Sequence, residues 1–234
     1  LGIFTILYFL LSCVTTGALI RGSAEQDANQ VFGFKQAWRA GRGTFASILG
    51  LRLLSFLWVV IVGGLIGGGI ALSFLTFSIT GHLIIGAIVV TLTALLALVL
   101  LIFSVILAII FLLAARAIVL EQLGPIRGLR RGFHIFGRQT GHVLLAWLIQ
   151  AVLSLAVGIV ATVVLLIVWI PLLLTLLFAH HSFSSSDIIG AALIAGIPTI
   201  LIAIVLKVLS GTYFSTYWTI TYRRLVFKPA PAAE

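Results

Sequence analysis

Apolar residues in this chain fall into five long blocks separated by short polar connections. The blocks cover 1–20, 45–77, 83–119, 143–178 and 188–222. A helix needs about 20 apolar residues to cross the hydrocarbon core of a bilayer, and each block meets that length. Their apolar residues neither alternate nor keep to a single stripe, so they read as helices that are apolar all round. Barrel strands are excluded, being about 10 residues long with polar and apolar positions alternating. The pattern predicts an all-α, polytopic transmembrane helix bundle with five spans. The fourth block would form ~54 Å of helix. No polar turn divides it, and Pro171 within it predicts a bend. Residue 1 already lies in an apolar run and the sequence has no methionine, so a fragment is expected, with six spans if one precedes residue 1.

The connections are unequal. Residues 21–44 and 121–142 are long and basic, whereas 78–82 and 180–187 hold no Lys or Arg. One side collects Arg21, Lys35, Arg39, Arg42, Arg52, Arg116, Arg127, Arg130, Arg131, Arg138, Arg223, Arg224 and Lys228. By the positive-inside rule that side, with the C-terminus, faces the cytoplasm. The expected location is the cell membrane, as a multi-pass protein.

The two basic connections resemble each other. Lys35-Gln36-Ala37-Trp38-Arg39 aligns with Arg130-Arg131-Gly132-Phe133-His134. Each opens a unit made of a basic amphipathic segment, a turn of Gly, Arg and Thr, and two spans. The units, 31–120 and 126–222, make up one integral membrane domain, 1–226, followed by a tail, 227–234. In the first segment Phe34, Ala37, Trp38 and Gly41 share a face by i, i+3, i+4 spacing. The second has Pro125 in its first turn and an apolar stripe of Ile126, Leu129, Phe133 and Phe136. Both are expected to be amphipathic interfacial helices on the cytoplasmic side, with basic residues toward anionic headgroups. Two spans separate them, so the repeat is parallel.

Composition narrows the chemistry. Of 234 residues, 62% are hydrophobic and only 8% charged, with net charge +9, against about 25% charged in a soluble domain. The five acidic residues, Glu25, Asp27, Glu121, Asp187 and Glu234, are scattered. They form neither a carboxylate pair for acid–base work nor a cluster for Mg²⁺ or Ca²⁺. The single cysteine, Cys13, excludes an intrachain disulfide and a cysteine zinc cluster. His180 and His181, with His82, lack further metal ligands. The expectation is therefore no catalytic residue, no metal, no cofactor and no nucleic-acid partner.

Charges within membrane helices default to functional candidates. Arg52, Arg116 and Lys207, with Arg131, are candidate contacts for an anionic headgroup, since guanidinium forks suit phosphate. Lys207 can also snorkel to the interface. Tyr213, Tyr217, Trp218 and Tyr222 read as an interfacial aromatic belt. Gly63, Gly64, Gly67 and Gly68 give GxxxG spacing twice, a pattern for close helix packing.

Residues Ala117-Ile118-Val119-Leu120-Glu121 and Gly124-Pro125-Ile126-Arg127-Gly128-Leu129-Arg130-Arg131-Gly132-Phe133 carry a resemblance. They resemble the central signature of a bacterial membrane domain attached to some glycerophosphoryl diester phosphodiesterases, which also has stand-alone relatives of unknown function. The resemblance implies about six helices with interfacial elbows. The phosphodiesterase activity of that family resides in a separate soluble barrel, for which this chain has no room. The expectation is a non-enzymatic membrane module that contacts lipids, anionic ones among them, or scaffolds a protein partner. The alternative is a small transporter or channel for a lipid-like or anionic solute.

Overall fold

The computed structural model describes residues 2–28, 33–80, 83–178 and 185–226. Among them are six helices: α1 (Gly2–Asp27), α2 (Phe34–Thr80), α3 (Leu83–Leu120), α4 (Pro125–Arg138), α5 (Thr140–Phe178) and α6 (Ser185–Val226). All but α4 are long and apolar enough to cross a membrane. Helix is the expected outcome for such segments, because in hydrocarbon each backbone polar group needs a partner within its own segment. His82, His180, His181 and the tail 227–234 lie outside the described residues.

One boundary departs from the sequence reading. The first amphipathic segment is not a helix of its own: it forms the opening turns of α2, which has 47 residues. At ~70 Å that helix is more than twice the ~30 Å hydrocarbon thickness. The expected turn at Gly41 is absent because the glycine serves a helix crossing. A Cβ there would lie 2.4 Å from the Val14 carbonyl oxygen of α1. Across the same crossing, a Cβ on Gly17 would lie 3.2 Å from Gly41 Cα. α5 runs through Pro171 without interruption, and α6 carries Pro198 in its interior.

The chain divides into two compact units, Leu1–Thr140 with Tyr222–Glu234, and Gly141–Thr221. In the first, α1, α2 and α3 follow one another antiparallel. Cys13, Ile20, Ile48, Leu51, Ala114, Ile118 and Val119 form their shared core. Trp58 of α2 donates to Ser104 Oγ of α3 at 3.1 Å and packs on Phe103.

Among the described residues, a Cβ on Gly63, Gly64, Gly67 or Gly68 would meet nothing within 4 Å. Their neighbour Gly69 makes the close contact, with Thr93 Cγ2 2.7 Å from where a Cβ would stand. The α2–α3 seam passes through Trp58 and Gly69, eleven residues or three helical turns apart, and Gly63 lines a hollow beside it with Ser104 and Phe111 of α3.

In the second unit, α5 and α6 form an antiparallel hairpin tied by hydrogen bonds. Tyr217 donates to the Ala146 carbonyl at 3.1 Å, Trp218 Nε1 to Gln150 Oε1, and Trp169 Nε1 to Thr199 Oγ1 at 3.0 Å. The aromatic belt therefore needs correction. Tyr213 is exposed, but Trp218 and Tyr222 are fully buried and spend their polar atoms inside the chain. Gln150 is the residue the apolar pattern hid. A lone amide in a spanning helix calls for a partner, and Trp218 supplies it.

Candidate functional site

The chemistry-bearing residues of the first unit gather where α1 ends, α2 begins and α3 gives way to α4. α3 stops at Leu120. Gln122 takes a left-handed conformation, φ 52°, which an α-helix cannot continue. Gly124 then caps α4 in extended conformation, with Pro125 in its first turn, where the missing N–H costs nothing.

α4 packs against α3 through glycine. A Cβ on Gly132 would lie 2.8 Å from the Ile110 carbonyl oxygen, and one on Gly128 2.4 Å from Ile118 Cγ1. The buried face is therefore Gly128, Gly132 and Ile135, and not the stripe of Ile126, Leu129, Phe133 and Phe136. Ile126 is 79% exposed and Phe133 46%, while Leu129 and Phe136 are half-buried. At roughly 100° per residue α4 thus has three sectors. The glycine sector meets α3. The apolar sector flanks it on one side. Arg127, Arg130, Arg138 and His134, all exposed, make a basic sector on the other.

Glu121, next to this helix, is a hub. Tyr222 donates its hydroxyl to Glu121 Oε1 at 2.6 Å, and Arg131 Nε lies 3.3 Å from the same carboxylate. Arg223 donates to the Ala24 carbonyl at 3.0 Å and pairs with Asp27. The last turn of α6 is thereby tied to the ends of α1 and α3. Beside Glu121, the arginines of α4 border an open hollow of about 650 Å³.

A second, more built hollow of about 570 Å³ lies between α1, α2 and the end of α3. α2 lines it with Gln36, Arg39, Ala40, Gly43, Thr44 and Ser47, whose spacing of three and four marks one helix face. α1 contributes Arg21 and Glu25, and α3 contributes Ile118 and Val119 with Gln122 beyond them. Arg21 Nε donates to Glu25 Oε1 at 2.8 Å. The Gln36 side chain accepts from the Gly33 N–H at 3.2 Å, capping the start of α2 in the manner of a capping box.

The candidates read from sequence have separate local roles. Arg52 reaches α1, donating to Ser12 Oγ and to Thr16 Oγ1 at 3.0 Å, with its guanidinium 5.8 Å from the centre of the Phe9 ring. Arg116 is only 8% exposed. Its Nη1 donates to the Leu112 carbonyl at 2.8 Å, and its Nε has no acceptor among the described residues. Arg131 serves Glu121. Lys207 is on an exposed face of α6. Among the described residues no group of three metal-ligating side chains occurs. Sequence reading grouped cations by depth along the helices. It missed Arg21 and Arg39 as partners, because their convergence depends on the α1–α2 crossing at Gly17 and Gly41.

Fold and composition together place the chain among helical proteins fit to span a membrane several times. Within that class it belongs to a family of unknown function, DUF7544, whose profile matches residues 3–224. No curated protein and no solved structure shows significant similarity to it.

Proposed function

We propose that this chain is a non-enzymatic integral membrane module that gathers anionic lipid headgroups at its basic helix ends, on the cytoplasmic side of a bacterial plasma membrane. The observation that carries this reading is the sector division of α4. Glycine anchors the helix to α3, which leaves an apolar flank and a basic flank both exposed. A helix so divided suits the boundary between acyl chains and headgroups. Each basic residue near an anionic surface contributes about 1 kcal/mol, so Arg127, Arg130 and Arg138 together give about 3 kcal/mol, weakened by salt. The near absence of Lys and Arg from the opposite connections supports the cytoplasmic orientation. The resemblance of 117–133 to the phosphodiesterase-linked membrane domain fits a module that works beside a partner protein. On this reading 31–120 and 126–222 are two copies of one unit within a single domain.

The test is electron paramagnetic resonance of spin-labelled phosphatidylglycerol and phosphatidylcholine in vesicles holding the protein. Phosphatidylglycerol should be motionally restricted in preference. That preference should fall in high salt and in an Arg127→Gln/Arg130→Gln variant. Equal restriction of both lipids by the unaltered protein would overturn the reading.

A further inference from the structure

The hollow between α1, α2 and α3 differs from the open face of α4. Its α2 wall is made of small residues along one face, Ala40, Gly43 and Ser47. A Cβ on Gly43 would meet nothing within 4 Å among the described residues, unlike Gly41 two residues earlier, so no described residue packs into the space beside Gly43. Ile118 and Val119, both buried, line the α3 side. Charge sits at the other end of the face. Glu25 takes the Nε of Arg21, which leaves the two Nη groups of that fork for another acceptor. Arg39 has no hydrogen-bonded or ionic partner among the described residues. With Arg21 and Glu25 paired, the hollow carries one uncompensated positive charge.

We infer that this hollow is a binding site for a single phosphate group. Arg39 supplies the compensating charge, Arg21 a second donor fork, and the Gly43 notch the room for the group's substituent. A phosphodiester carries one negative charge, which matches the hollow. The phosphate can come from a lipid headgroup or from a small soluble phosphate, since the donors treat both alike. The inference deepens the lipid-gathering reading and rests on it only for the lipid source. The site needs Arg39 and the notch, whereas the broad lipid preference needs the basic sector of α4.

The experiment uses the full chain in nanodiscs of phosphatidylcholine and phosphatidylglycerol, released for native mass spectrometry. A parallel phosphorus-31 NMR titration uses inorganic phosphate. Arg39→Gln should reduce retained phosphatidylglycerol, or bound phosphate, about tenfold, as expected for loss of one charge-assisted contact. Gly43→Leu should do the same by filling the notch, where a Cβ meets nothing within 4 Å. Gly63→Leu, at a glycine of α2 outside this hollow, should leave the retained ligand unchanged. Loss in the lipid arm identifies a headgroup, and loss in the phosphate arm alone identifies a soluble ligand. If neither arm responds to Arg39→Gln or Gly43→Leu, the site does not exist. If the phosphate arm responds while spin-labelled lipids show no preference, the site stands and the lipid-gathering reading falls.

Discussion

The two basic elbows have almost the same local sequence and opposite structures. The first reads Gly41-Arg42-Gly43-Thr44 and runs straight through as α2. The second reads Gly137-Arg138-Gln139-Thr140 and breaks between α4 and α5. Helix propensity does not separate them, since the first, with two glycines, is the poorer helix former. Tertiary contacts do. In the first elbow Gly41 lies against the α1 backbone, and α2 runs on past it; the back-bonds of Thr44 to Ala40 and of Thr140 to Phe136 are common to both elbows. In the second, Gln139 leaves helical geometry at φ −133°, ψ 37°, and its side-chain amide donates to the Leu225 carbonyl at 3.2 Å. The same short motif is a crossing point in one elbow and a break between helices in the other.

Substitutions at the glycine contacts should have the largest effect. Gly41→Leu and Gly132→Leu each force a side chain into a neighbouring backbone, at an expected cost of about 3 kcal/mol. Gly63→Leu, facing open space, should cost far less. Thermal unfolding in detergent measures all three, and equal losses would erase the distinction between packed and open glycines. Next comes the anchor of the second elbow. Tyr222→Phe leaves Glu121 without its hydroxyl donor, at about 2 kcal/mol for a hydrogen bond to a charged group. Glu121→Leu should be no milder, because it also strands Arg131. The same melts compare them. The smallest effect belongs to the break itself. Gln139→Ala removes one neutral hydrogen bond and should cost about 1 kcal/mol, with faster amide exchange near Leu225 by hydrogen–deuterium mass spectrometry. Unchanged exchange there would mean that Gln139 does not fix the break.

Much of the fold is legible in the pattern because the bilayer imposes length and apolarity on each crossing. The five long helices follow from that constraint alone. α4 is also legible, from Gly124-Pro125 and the basic run after it. Its rotation is not. Periodicity marked Ile126, Leu129, Phe133 and Phe136 as the apolar stripe of an interfacial helix and gave no face for packing on α3, whereas close approach to α3 is won by Gly128 and Gly132, which no hydropathy scale rewards. That GxxxG spacing was present in the sequence beside the more conspicuous glycines at 63–69. The candidate site was legible as a class, basic residues at helix ends. The pairing of Arg21 with Glu25, and the open charge of Arg39, needed three helices placed in space.

Lipid gathering as proposed requires that these basic ends face the cytoplasm. Gly137 is on the exposed side of α4, and a Cβ there meets nothing within 4 Å, so Gly137→Cys places a reactive thiol there without strain. The native Cys13 is fully buried and can stay. A membrane-impermeant maleimide, applied to intact cells producing this variant, should label it only after the membrane is permeabilised. Labelling in intact cells would put the arginines on the outer surface and contradict the account.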